Sequence, residues 1–499
     1  MKVVLVNPPR THYDLEELAP PLGLLRLAHV AQELGAVVYI EDYNLLWHGD
    51  HLLRERFYET AVARLAGLDG DLYGFTSMAV DSHVALELAR LLKRVRPEAR
   101  IVLGGPHFSS IAEPVKARFP WVDHVICGEG EAGFADLINP GGAGTWVGNP
   151  QPSDLPIMEN LAAYFHLNPR RMVNLEAGRG CRFKCSFCYS PSHYQAVREF
   201  PVQTVIAQLD AMQRHGAAHV WFVHDNFLND INQAVHLCQA IKELRSGLTW
   251  SCYATLPQLT PRVMEAMAEA GCTEVFSGID AVGTASERAF RKAFFRGTTP
   301  LQEKIRTLRA LHIQPTLAFL VCPPSHVAGA TYQVTVAAAV EAQSSGADIL
   351  LNPLNLYTGT GASAAFGTSH AGDFLQADLM MDVPDIVINN TAAIEYPEMF
   401  PFHSRYVPEQ EWHSFLQLSH CVSTLIHTYP RTLSRLLEHS SIDPVAVATR
   451  TLERFSGWER LPKQDRRRVE QDVAFFVLKD VVPRSPAAAT LDEERPVIK

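Results

Sequence analysis

The sequence contains no run of 18 or more consecutive apolar residues, which a membrane-spanning helix would need. It has no surplus of positive charge: 44 lysines and arginines stand against 54 aspartates and glutamates, a net charge of −10. The chain as a whole therefore exerts no pull on nucleic acid phosphate, and a small or neutral substrate fits better. With 30 glycines and 32 prolines in 499 residues, fibrous and low-complexity classes are excluded. No segment repeats at a solenoid period. A signal peptide is not expected either, because Met1-Lys2-Val3-Val4-Leu5-Val6 meets Asn7-Pro8-Pro9 within eight residues and reads as a strand. Cysteine is scarce and odd in number: nine, of which Cys181, Cys185 and Cys188 crowd into eight residues. That pattern suits ligation better than disulfide pairing and implies a reducing cytoplasm.

What is present is ordinary globular composition, 47% hydrophobic and 20% charged. At roughly 100 to 200 residues per domain, the length predicts about three domains. From 1 to 140, short apolar strands alternate with amphipathic helices, which predicts βαβ units and a doubly wound parallel sheet of Rossmann-like type. Ligands in such sheets sit beyond the carboxyl ends of strands. Those ends are Asn7-Pro8-Pro9, Thr76-Ser77-Met78, Gly104-Gly105-Pro106-His107 and Gly128-Glu129-Gly130-Glu131. Each also has a plain reading as a strand-to-helix turn.

Residues 141–171 are rich in Pro and Gly and read as a linker. A second alternating series over 172–360 has six strands and five intervening helices, which predicts a partial (β/α)6 barrel with its chemistry at the strand carboxyl ends. Residues 361–483 read as a mainly helical cap over the substrate, and 484–499 as a flexible tail without large apolar residues.

The spacing Cys181-x3-Cys185-x2-Cys188 lies just after the first barrel strand and follows Gly178-Arg179-Gly180. Three thiolates on one short loop can ligate three irons of a four-iron, four-sulfur (4Fe-4S) cluster and leave the fourth open. Zinc is the alternative, with His193 as a fourth ligand. Three unrelated core cysteines are a second alternative.

This loop at the head of a partial barrel resembles the radical S-adenosylmethionine (SAM) superfamily over about 172 to 355, and Phe187 matches the aromatic residue typical before the last cysteine. The resemblance implies that SAM binds the open iron. It also implies that Asp225, in His224-Asp225-Asn226-Phe227, lies near the SAM amino group; the other reading of Asp225 is a helix N-cap or a turn. Trp250-Ser251-Cys252-Tyr253-Ala254 resembles the third strand, with Tyr253 facing the cofactor. Ser277-Gly278-Ile279-Asp280 resembles the strand end that addresses the SAM ribose, although Asp280-Ala281 replaces the usual Glu-Ser. The front-domain motifs resemble those of the subgroup with a cobalamin-binding domain. His83 does not match that fold's cobalt-ligating histidine, since Leu86 stands where the motif needs glycine.

Together these resemblances imply a cobalamin-dependent radical SAM methyltransferase acting on a carbon of a small molecule or natural-product precursor, fed by an electron donor such as flavodoxin or ferredoxin. The alternatives are non-radical C-methylation of an aromatic such as tryptophan, a radical isomerase, cyclase or dehydratase, and a non-catalytic iron–sulfur protein. Tyr357, just past the last barrel strand, is the candidate catalytic residue; His403, Tyr406, Trp412 and His420 are cap residues that could meet a substrate.

Overall fold

The structure, a computed structural model, describes residues 1–10, 15–49, 56–79, 81–141, 161–194, 196–292, 300–322, 331–366, 409–439, 443–454, 463–481 and 487–494. Residues 142–160 of the expected linker, 367–408 of the expected cap, and with them His403 and Tyr406, lie outside this set.

The front sheet holds β1 (Lys2–Asn7), β2 (Val37–Asp42), β3 (Leu72–Thr76), β4 (Arg100–Gly104) and β5 (His124–Val125), all parallel, in the order β2-β1-β3-β4-β5. Val3 to Val6 are apolar without interruption because this strand is covered on both faces. Successive side chains point to opposite sides. Val3 and Leu5 accordingly pack with Leu24, Ala28 and Phe134 from the helices Leu22–Glu33 and Gly130–Ile138. Val4 and Val6 pack with Ala61, Leu65, Ala85 and Leu88 from the helices Phe57–Gly67 and Ser82–Val95. The strand order reverses direction between β1 and β3, where a crevice opens in folds of this type.

After β6 (Met172–Leu175), a small antiparallel pair, β7 (Gly178–Arg179) and β8 (Arg198–Glu199), brackets the cysteine loop. The series continues with β9 (His219–Phe222), β10 (Thr249–Tyr253), β11 (Cys272–Asp280), β12 (Gln314–Val321) and β13 (Asp348–Pro353). β6 and β9 to β13 form one six-stranded parallel sheet in strict chain order, open between β6 and β13. Five long helices make the crossovers, so this is a partial (β/α)6 barrel.

Two expectations are revised. The segment expected as linker includes a helix, Leu161–Leu167, whose buried Tyr164 bonds to Asp42 under the front sheet. The segment expected as a loose tail forms the helix Ala487–Glu493, with Ala487 and Leu491 buried and the Glu494 carboxylate accepting from the Arg431 and Thr432 amides. The helix packs against Pro430–His439 and Lys463–Val481. The other C-terminal helices extend the barrel core through Phe415, Val422, Leu425 and Leu433. Helix Glu409–Thr428 packs against β13 and so covers the edge that an open barrel leaves unpaired. Among the described residues, none of helices 409–494 reaches the cavity described below.

Candidate functional site

A cavity of about 960 Å³ lies where the carboxyl ends of the two sheets face each other. The front sheet lines it with Asn7, Thr76, Met78, Gly104, Gly105, Pro106, Gly128, Glu129, Gly130 and Glu131. The barrel contributes Asn174, Arg179, Tyr189, His193, Trp221, Asp225 and Tyr253. Two turns need glycine for their shape. Gly105 has φ +95, and a Cβ there would stand 2.4 Å from the Ser77 carbonyl oxygen. Gly128 has φ +72. Gly23 also lines the cavity, with nothing within 4 Å of where its Cβ would be, so the room a side chain would take belongs to the cavity. A large concave, backbone-lined space of this kind suits a bulky cofactor.

Four front-domain candidates do not reach that space. Pro8 and Pro9 are buried and are not part of its wall. Ser77 donates its amide to the Gly104 carbonyl (3.2 Å), which ties the end of β3 to β4. His107 is buried beside His83; burial first, and then His107, push the His83 imidazole down to about 3.

The carboxylates of Glu129 and Glu131, expected to meet a cofactor, are engaged across the domain boundary. Arg179 donates to Glu129 (2.7 Å), Glu131 (2.7 Å) and Glu176 (3.1 Å). Arg26 pairs with Glu176 at 2.9 Å, and Arg198 with Glu129. Burial raises the Glu129 carboxyl, but the hydrogen bonds from Arg198 and Arg179 outweigh it and hold the group below its usual range. Three cations and three carboxylates thus lock the glycine turn after β5 to the strand ahead of the cysteine loop. Sequence reasoning passed over this network; its one visible sign was an arginine between the glycines at 178 and 180.

The cysteine loop is clamped by segments that follow three other strands. After β9, Asp225 accepts from the Gly180 amide (3.1 Å), and Asn229 accepts from the Arg182 amide (3.1 Å) while donating to the Gly180 carbonyl (2.8 Å). After β11, the Phe290 carbonyl accepts from the Ser186 amide at 2.9 Å. After β13, the Ala362 amide donates to the Ser186 carbonyl at 2.7 Å. Asp225 is not a helix cap: Asp230 caps the helix Ile231–Leu244, accepting from the Asn232 and Gln233 amides. Burial lifts the Asp225 carboxyl to about 6, opposed by the Gly180 amide.

The three thiols are half-buried. Burial pushes each of them up, Cys188 to about 12, and the Lys292 ammonium opposes this at Cys181 and Cys185. Buried thiols that lose protons with difficulty release them readily to a metal, whose charge replaces the proton's. Among the described residues, no three His, Cys, Asp or Glu side chains converge on a single ion. Three thiols on one short loop are a donor set that fits the irons of a cluster, whose soft ligands are thiolates.

Phe187 lies edge-on to Phe290 (5.7 Å) instead of lining the cavity. β11 bulges between Gly278 and Asp280, where Asp280 takes φ +57 and its carboxylate pairs with Lys292; neither residue lines the cavity. Tyr357 also lies outside the wall, because the turn that carries it is pinned by Thr360 donating to its carbonyl (2.7 Å) and by Thr358 bonding Ser110 (2.5 Å). His420, on the helix Glu409–Thr428, does not line the cavity either, and the Trp412 side chain is outside the described set. Trp221 and His193 line the cavity, and Trp221 Nε1 and His193 Nδ1 are buried with no hydrogen-bond partner among the described residues.

Residues 14–138 match the B12 binding domain family and residues 175–326 the Radical SAM superfamily. The chain thus belongs to the radical SAM superfamily, in the class with a B12-binding domain ahead of the barrel. Its relatives include methyltransferases and an anaerobic magnesium-protoporphyrin IX monomethyl ester cyclase. It is 25% identical over 355 residues to an uncharacterized methyltransferase of Pyrococcus horikoshii, covering 64% of this chain and 74% of that one. It is 26% identical over 353 residues to the cytidylyl-2-hydroxyethylphosphonate methyltransferase of Streptomyces wedmorensis, covering 56% of this chain and 65% of that protein. The fold is similar to that of the radical SAM methyltransferase TsrM from Kitasatospora setae with cobalamin and a [4Fe-4S] cluster bound. There the TM-score is 0.62 and the identity 15%, over 95% of this chain and 99% of that one.

Proposed function

We propose that this protein transfers a methyl group from SAM, by way of cobalamin, to a carbon of a small molecule or natural-product precursor. The observation that carries this reading is a shared cavity, which joins a glycine-cut front sheet to the barrel end that bears the cysteine loop. When bound, the cluster supplies an electron, SAM the methyl group and cobalamin its relay.

Cys181, Cys185 and Cys188 would hold the cluster, on a loop already fixed from three sides. Asp225, held toward the cavity by the Gly180 amide, would accept a hydrogen bond from the SAM amino group. Tyr253, on the cavity wall, would flank SAM. Asn7, Thr76, Met78, Gly104, Gly105, Pro106, Gly128 and Gly130 would border cobalamin. Arg179 would keep the two halves in register so that the reacting groups meet without a search. Arg182, Phe183 and Lys184 are exposed between two of the cysteines, which gives a donor such as flavodoxin or ferredoxin access to the cluster. The nine free cysteines suit a reducing cytoplasm, and no helix among the described residues is long and apolar enough to cross a membrane.

A second reading, ring formation without methyl transfer, draws on 21% identity over 360 residues to an anaerobic magnesium-protoporphyrin IX monomethyl ester cyclase of Cereibacter sphaeroides. The test is anaerobic reconstitution with iron, sulfide and hydroxocobalamin, followed by turnover with methyl-labelled SAM. Retained cobalamin and label in a product support methyl transfer. A full cluster with no retained cobalamin and an unlabelled product would overturn it in favour of the second reading.

A further inference from the structure

Lys292 lies outside the motifs quoted above, and the fold carries it to the cysteine loop. It follows the helix Thr284–Ala289, whose end is pinned to that loop by the Ser186 amide on the Phe290 carbonyl and the Ser186 hydroxyl on the Ala289 carbonyl, both 2.9 Å. Its Nζ pairs with the Asp280 carboxylate and stands 5.9 Å from the ring centre of Phe187, the residue before Cys188. The side chain is 19% exposed, so little water screens its charge. Asp280 reaches it only because the bulge in β11 turns the carboxylate back over Gly278, where a Cβ would lie 2.4 Å from Asp280 Oδ2.

We propose that Lys292 is a positioning residue that sets the reduction potential of the cluster on Cys181, Cys185 and Cys188, with Asp280 as the counter-charge that fixes its ammonium in place. The inference rests on the cluster assignment made above. Reduction adds one electron to the cluster, taken from the reductant, with no bond or proton exchanged. A fixed cation nearby stabilises the added negative charge and raises the potential; an unneutralised carboxylate lowers it.

The test uses the full-length reconstituted protein without SAM, titrated with dithionite and mediators, with the reduced cluster read by electron paramagnetic resonance. At a fixed potential, Lys292→Met should lower the reduced-to-oxidised ratio about tenfold, which is 59 mV for a one-electron couple. Lys292→Arg should restore the wild-type ratio, and Asp280→Asn should raise it. The inference is overturned by a Lys292→Met protein with full iron content and an unchanged ratio. Should Lys292→Met fail to hold iron, an Asp280→Asn ratio at or below wild type overturns it equally. Wild-type protein that takes up no iron would sink the cluster assignment and this inference together; an unmoved ratio in iron-loaded variants sinks the inference alone.

Discussion

At the carboxyl ends of the front sheet the cavity wall is largely backbone: Gly104, Gly105, Gly128 and Gly130 bring main chain to the surface, and the carboxylates between them turn to Arg179. At the facing ends of the barrel strands the wall is built of side chains, including Tyr189, Trp221, Asp225 and Tyr253, beside a loop of three thiols. Both are parallel sheets with helical crossovers, so the difference does not come from architecture. It follows from what each end has to hold. A bulky cofactor needs removed volume, which glycine supplies, whereas a cluster and a charged ligand need donor atoms at set points, which only side chains on a clamped loop supply.

The sharpest break in that comparison is Cys185→Ala. Iron uptake and SAM cleavage should fall to background while cobalamin retention persists; parallel iron and cobalamin assays check it, and full SAM cleavage by the variant would contradict the assignment. Next comes the joint between the regions. Arg179→Met takes the cation from buried Glu131, while Glu129 keeps Arg198 and Glu176 keeps Arg26, and breaking that buried pair costs about 3–5 kcal/mol. The urea midpoint should fall accordingly, and a midpoint equal to wild type would show that the network does not hold the halves together.

Gly105→Ala tests the front wall alone. Strain at φ +95 costs about 1–3 kcal/mol, and the contact with Ser77 adds to it, so cobalamin retention should drop while iron content stays whole. Loss of both together would mean that the two ends are not separable.

The smallest effect is one of pH at the front wall. Asp81 accepts from the Met78 amide (2.7 Å) and from Arg10 (3.0 Å), and burial, opposed by Arg10, lifts its carboxyl to about 6. Between about pH 6 and the unfolded value of about 3.9, the folded protein binds the extra proton, so this group's contribution to stability grows as pH falls. Asp81→Asn removes that term. Wild type should therefore gain on the variant as urea midpoints are compared from pH 7 down to pH 4.5; a constant difference would remove Asp81 from the account.

Much of this was legible in the chain. The alternation of strands and helices marked both sheets, and helices such as Ile231–Leu244 and Pro430–His439 stand where periodicity placed them. The position of Asp225 at a strand end is visible in the sequence, and its side chain lies on the cavity wall. Tyr357 also follows a strand end, and it lies outside that wall on a turn bonded to Ser110 of the front domain, a contact across 248 residues that no local pattern announces. The helix Ala487–Glu493 was missed because its anchoring lies in Arg431 and Thr432, not in its own apolar content.

By itself the sequence determined the two parallel sheets, the cysteine spacing and the glycine turns, because period, spacing and backbone freedom are local properties of consecutive residues. Tertiary structure alone decided that the two sets of strand ends share one cavity, that Glu129 and Glu131 answer to Arg179, and that Lys292 stands beside the thiols. Those outcomes depend on which charges are left to find one another once water is excluded, and partners some 50 residues apart, such as Arg179 and Glu129, are chosen by the packing of whole elements.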